Sequence, residues 1–274
     1  MNITKTFNSW TEFVDRAESG KPTARTRSSR KNGEHWSGAS FNEAVRMARQ
    51  GWPEGTKLVH ELSATLYNNL PAKRLKLQPA YSVVGPGTLD MGRYIQGHPE
   101  SMMVWVESET EDVVASGGKI VSVVYNIAAS SGVSAKEMLD KGVVACALVD
   151  LLERAGRRVE LVMAVGVRSW RSAYTMRVPL KLPQDPLDMD RLAYAVAHAS
   201  CLRRLCFSVW ECEPAEVVAE FDFNGGSYST PATVSVEEHE LLIPHTLWFP
   251  GFKFADYMKW LVKQLATQGV EIDD

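Results

Sequence analysis

The sequence predicts an α/β fold built on a mostly parallel sheet with helices on both faces, and three neighbouring segments predict it. Residues 119–127 read KIVSVVYNI, a nearly continuous β-branched run of the kind buried on both faces of a parallel sheet. Ser134 with Glu137 supplies a capping box for a helix reaching to about Ala155, with Gly156 as its expected C′ residue. A second strand over 159–167 completes a strand–helix–strand unit of ordinary length, and hence a right-handed crossover.

The elements that follow are read in the same way. Residues 172–180 have strand character and come soon after the second strand, so the two should pair as an antiparallel hairpin through 168–171. A helix runs from Asp188 to about Leu205 with Leu192, Val196 and Ala199 inward, and a further strand is expected at 207–209 or 217–221. HELLIPHTLWF gives a last strand. Phe254, Tyr257, Met258, Leu261, Val262 and Leu265 form the stripe of a closing helix ended by Gly269.

The first half is less regular. Phe7, Trp10, Phe13, Val14 and Ala17 fall on one helical face, with Asn8 or Ser9 as the cap. Residues 20–33 hold five cations and no acid among small and polar residues, which predicts a mobile basic arm. Ser40 and Glu43 make a capping box before a helix over Phe41, Ala44, Val45 and Ala48 that stops at Gly51. Another helix spans about 57–70, with the stripe Leu58, Val59, Leu62 and Leu66, and ends at Pro71. Residues 78–100 read as an ordered loop region leading to a strand at 102–106, and 107–118 as an acidic, small-residue linker. The chain thus divides into an N-terminal helical region, 1–115, and an α/β core, 116–274.

Composition bounds the function. With 45% hydrophobic and 23% charged residues over 274 positions, a packed core is expected. A net charge of −3 and a pI near 6.1 give no global attraction to nucleic acid or anionic membrane, so any such binding must be local. Cys146, Cys201, Cys206 and Cys212 lie in apolar stretches without metal-ligand spacing, which predicts buried free thiols and a reducing, cytoplasmic setting. No apolar run approaches the roughly 20 residues of a membrane span, so no membrane role is expected.

A buried strand ending in small polar residues, a long capped helix and a two-strand hairpin resemble the opening of the von Willebrand factor A family, a Rossmann-like fold, from about Lys119 to Val270. In that family the first strand ends in Asp-x-Ser-x-Ser, whose oxygens hold a divalent cation that binds an acidic group of a partner. Here the matching residues are Asn126, Ile127, Ala128, Ala129 and Ser130. The charged ligand and one hydroxyl are missing, so no metal and no cofactor are expected. Asn126, Ser130 and Ser131 then form a metal-free docking surface or a structural turn. The N-terminal half resembles uncharacterised proteins of bacterial viruses and plasmids through Trp36, Gly38, Glu43 and Ala44, then Asp90, Gly92, Tyr94, Gly97, Pro99, Glu100 and Met102. That resemblance implies a phage-like origin.

Catalytic motifs are absent from the sequence: there is no Gly-x-Ser-x-Gly, His-Glu-x-x-His or Cys-x-x-Cys, and the six histidines are scattered. Glu220 and Asp222, two apart before Asn224, would share a face of a strand, as a metal-dependent hydrolase requires. Lys21, Arg25, Arg27, Arg30 and Lys31 can neutralise phosphates, with Trp36 as a stacking platform for an unpaired base and Arg203 and Arg204 extending the surface. The reading is a non-enzymatic adaptor, a phage accessory factor linking a protein partner such as a polymerase or replication protein to single-stranded nucleic acid. A virion or assembly protein is the alternative, and a hydrolase using Glu220 and Asp222 the third.

Overall fold

A computed structural model describes residues 1–31, 33–69, 77–85, 87–107, 120–154, 157–224, 227–245 and 254–267. The chain begins with β1 (Asn2–Thr6) and α1 (Trp10–Ser19), whose N-cap Ser9 accepts from the Glu12 N–H at 3.1 Å. Single-turn helices α2 (Ser28–Lys31) and α3 (Glu34–Ser37) lead to α4 (Phe41–Gln50) and α5 (Pro53–Asn69). Next come β2 (Leu77–Ser82), β3 (Thr88–Leu89), α6 (Met91–Ile95) and β4 (Met102–Glu107). Then β5 (Ile120–Asn126), α7 (Ala135–Arg154), β6 (Arg158–Arg168) and β7 (Ala173–Lys181) lead to α8 (Met189–Ala197). A π-helical segment (Cys201–Cys206), α9 (Phe207–Trp210), α10 (Ala215–Glu220), β8 (Thr230–Pro231), β9 (Glu240–Ile243) and α11 (Phe254–Thr267) complete it.

The main sheet has the order β1-β7-β6-β5-β9, with β8 paired to the end of β6. β5 pairs in parallel with both β6 and β9, and β1 with β7, while β6 and β7 form the antiparallel hairpin. The protein is therefore α/β, with a mostly parallel central sheet flanked by helices. β5 is interior and buried from Val121 onward, as its β-branched run predicts. The capping box before α7 is reciprocal: Ser134 Oγ accepts from the Glu137 N–H, and the Glu137 carboxylate accepts from the Ser134 N–H at 2.7 Å.

α7 lies against both the sheet and α8, and it is buried on nearly all sides from Lys141 to Val149. Gly142 allows this. A Cβ there would stand 2.4 Å from the Ala197 Cα, so only glycine lets α7 and α8 approach so closely. The opposite face of the sheet carries a smaller cluster of Val124, Ala164 and Val234. Gly166 opens a second tight spot, where a Cβ would fall 2.5 Å from the Ala232 carbonyl oxygen.

Several expectations are corrected. Residues 2–6, where the sequence predicts no element, form a strand because β7 offers an open parallel edge. The segment 78–100 is not loop throughout: it holds β2, β3 and the short helix α6, and β2 and β3 pair on either side of β4, with Pro79 tolerated in an outer strand. Residues 207–209 and 217–220 are helical and Phe221 is in the turn that follows, with no strand in either segment; they wrap aromatic side chains around Trp210 and Phe223, which stack at 4.8 Å. The helix expected to reach Leu205 breaks at His198. Leu58 faces solvent, and α5 starts earlier than expected, at Pro53. The stop at Pro71, the linker 108–118, and Gly156, Gly225, Gly226 and Gly269 lie outside the described residues. All four cysteines are free and buried.

Gly166→Ala should destabilise the protein by about 1–3 kcal/mol, since the new methyl meets fixed backbone. A thermal melt unchanged from wild type would contradict the close approach of residue 232.

Candidate functional site

The carboxyl rim of the sheet gathers most of the residues with chemical potential, so the site is built from there. β5 ends at Asn126, which is fully buried. Its Nδ2 donates to the Ala232 carbonyl at 2.8 Å, and its Oδ1 accepts from the Ala128 and Gly166 N–H groups. β8 and the residues after it thus fill the slot beyond β5, and Asn126 is a structural plug, not an accessible docking residue. Ser130 is half-buried and Ser131 exposed on the turn into α7.

Beneath this turn lies an unexpected cation. Lys141, fully buried on α7, donates from Nζ to the Asn126 carbonyl oxygen at 2.6 Å and sits 4.5 Å over the Tyr125 ring. Desolvation lowers its pKa to about 7. His245, just past β9, is pushed down to about 4 by burial and by the charges of Lys141 and Arg168. A divalent cation does not fit here: Asn126 is already spent on backbone groups, and an amine occupies the position beside its carbonyl. Among the described residues, no three His, Cys, Asp or Glu side chains converge as metal ligands.

The basic arm is a docked strap. The N–H groups of Thr23 and Ala24 donate to the Glu211 carbonyl at 2.9 and 3.0 Å, and Ser29 donates from N–H and Oγ to the Glu211 carboxylate. Tyr228 adds a third contact to that carboxylate, donating from its hydroxyl at 2.6 Å, and Arg27 stands 4.0 Å away. Arg30 donates to the Glu18 carbonyl and lies 3.9 Å over the Phe41 ring. Of the predicted nucleic-acid residues, Lys21, Arg25, Arg30 and Lys31 are exposed and Arg27 is half-buried, with Arg30 also held to the Glu18 carbonyl and the Phe41 ring.

Arg203 and Arg204 are buried as well, which corrects their place on an extended basic surface. Arg203 donates to the carbonyls of Trp36 and Val133, and Arg204 to those of Ala39 and Ser29, the latter two both at 2.9 Å. Burial lowers the Arg203 pKa to about 10. Arg203 also lies 4.3 Å from the Trp36 ring, and Trp36 Nε1 donates to the Ser131 carbonyl at 3.1 Å. The structure thereby joins the predicted stacking residue to the predicted docking turn. One face of that ring is already covered by the guanidinium.

Glu220 and Asp222 sit at the end of α10 and in the turn after it, with Asp222 at φ +53°, so the strand geometry expected for a carboxylate pair is absent. Glu220 accepts from Ser169 Oγ at 2.6 Å and Asp222 from the Ser227 N–H at 2.8 Å. Both line an open depression of about 440 Å³ beside the tip of the β6–β7 hairpin. That tip holds the residue the sequence reading passed over: Trp170, 91% exposed between Arg168 and Arg171. The signal was a large aromatic placed in a predicted turn.

The model of a family described as a domain of unknown function (DUF7192) matches residues 1–267. No curated protein and no solved structure matches the chain.

The buried Lys141 makes stability depend on pH. Its folded pKa lies below the unfolded one, so the folded protein sheds the proton first as pH rises. Stability should increase through the window above pH 7, while the burial penalty is fully present below it. Relative to Lys141→Met, wild type should gain up to about 1.4 kcal/mol per pH unit between pH 7 and 9. Identical slopes for the two proteins would show that this amine is not desolvated.

Proposed function

The chain belongs to the DUF7192 family, and we propose that it acts as a non-enzymatic adaptor joining a protein partner to nucleic acid, as a phage accessory factor in transcription or replication. The observation that carries this reading is where the large apolar side chains reach solvent. Around α6 and the turn after β2, Val83, Val84, Met91, Tyr94 and Ile95 are all exposed, Val84 at 86% and Ile95 at 77%. Clustered exposure of this kind marks an interaction surface.

The knob that displays them is rigid. Asp90 caps α6 by accepting from the Arg93 N–H at 3.1 Å, and Gly97 closes it at φ +74°. Arg93 lies 3.9 Å over the Tyr81 ring and donates to the Glu100 carbonyl. Asp90, Gly97 and Glu100, three of the positions in the resemblance to phage and plasmid proteins, thus build the support, while Tyr94 is displayed. The β6–β7 hairpin beside the parallel β5–β6 pair supports kinship with the von Willebrand factor A core, in a form where a lysine amine stands near the family's cation position. Among the described residues no helix is long and apolar enough to cross a membrane.

Affinity capture from infected or native host cells tests this. Wild type should retain a specific protein that a Tyr94→Ser/Ile95→Asp variant loses, with at least about a thirtyfold drop in affinity for a hot-spot pair. Both side chains are exposed, so the thermal melt should not change. Equal capture by the two proteins removes the knob from the interface, and large self-assemblies in light scattering would favour an assembly protein instead.

A further inference from the structure

We propose that the tip of the β6–β7 hairpin, Arg168, Trp170 and Arg171, is where the protein grips single-stranded nucleic acid, the indole stacking on an unpaired base and the two guanidiniums contacting phosphates. The inference rests on the nucleic-acid half of the adaptor reading and moves its site from the N-terminal strap to this tip.

Four observations converge. Trp170 is the most exposed large apolar side chain among the described residues, at 91%, whereas Trp10 and Trp210 are buried. Both arginines flanking it are exposed, so this indole, the most exposed among the described residues, is bracketed by two positive charges. The platform is rigid: the Ser169 N–H donates to the Ser172 carbonyl at 3.0 Å, Ser169 Oγ is anchored to Glu220, and Ser172 is buried. A rigid aromatic loses little freedom when a base stacks on it.

The surroundings favour a polyanion lying along one side. Ser229 and Thr230 border the adjoining depression, and its carboxylates, Glu220 and Asp222, are turned to serine donors. Those two negative charges repel phosphates from the α10 side and leave the arginine side of the tip as the path. By contrast Trp36, the other candidate indole, is half-buried with Arg203 over one face.

The test is fluorescence anisotropy of the full chain with a labelled oligothymidylate of about 20 nucleotides, a length that covers the largest single-fold footprints of about 16. Salt is varied from low to moderate. Trp170→Ala should weaken binding by about tenfold or more while the melt stays at the wild-type temperature. Arg168→Ala/Arg171→Ala should weaken binding and reduce the slope of log K against log salt by about 1.4, as two lost phosphate contacts require. Trp170→Phe should restore most of the affinity, since a phenyl ring still stacks. Wild-type affinity in both the Trp170→Ala and the double-arginine variants, with binding lost in Lys21→Ala/Arg25→Ala/Lys31→Ala, would overturn the tip and leave the adaptor reading standing. No binding by wild type at low salt would overturn both. Loss of a captured protein from Trp170→Ala, with oligonucleotide binding intact, would assign the tip to a protein partner and overturn the proposal.

Discussion

Two neighbouring guanidiniums, buried side by side in the π-helical segment, set the constraint on which the rest of the structure depends. Desolvating one charge is costly and desolvating two like charges together more so, yet Arg203 and Arg204 are each only 2% exposed. What offsets the cost is a full set of backbone acceptors: the carbonyls of Ser29, Trp36, Ala39 and Val133 all turn toward them. A π-helical segment widens the turn relative to an α-helix, and the two adjacent side chains here reach separate groups of carbonyls. Arginine suits this position because its planar fork has five donors and stays charged where a lysine would lose its proton. The same chain places Glu211 a few residues on, and its buried carboxylate gathers Ser29, Tyr228 and Arg27.

From that constraint the layout of surfaces follows. The strap from residue 20 to 40 is held against the core instead of sweeping through solvent, and the turn at 130–133 is tied to it through Trp36. Chemistry-bearing side chains that the sequence offers as ligands or bases, among them Asn126, Glu220 and Asp222, are committed to internal hydrogen bonds. Among the described residues, two clusters of large apolar side chains face solvent, the knob around α6 and the Trp170 hairpin tip. Rigid presentation lowers the ordering cost of binding and suits a protein that holds other molecules together.

The core was legible because its signals are local and periodic. The β-branched run of β5, the reciprocal Ser134–Glu137 cap and the β6–β7 hairpin are each written in a short run of consecutive residues, and all three are present. The failures are long-range. β1 exists because β7, some 170 residues later, has a free parallel edge. The strap looked mobile because nothing near it in sequence can satisfy Ser29; its partner, Glu211, is about 180 residues away. Arg203 and Arg204 carried a local clue, since CLRRLCFSVW embeds two charges in an apolar run, and such charges are buried with partners or break the element. Glu220 and Asp222 misled because alternation of apolar and acidic residues also fits a helix end packed on an aromatic cluster.

The docking of the strap is tested most directly by amide hydrogen exchange at Thr23, Ala24 and Ser29, whose N–H groups donate to Glu211. Buried bonds of this kind should exchange far more slowly than the unfolded chain, and Arg204→Met should bring all three close to the unfolded rate while β5 stays protected. Exchange at the unfolded rate in the wild-type protein would contradict the account, because the strap would then be free of the core.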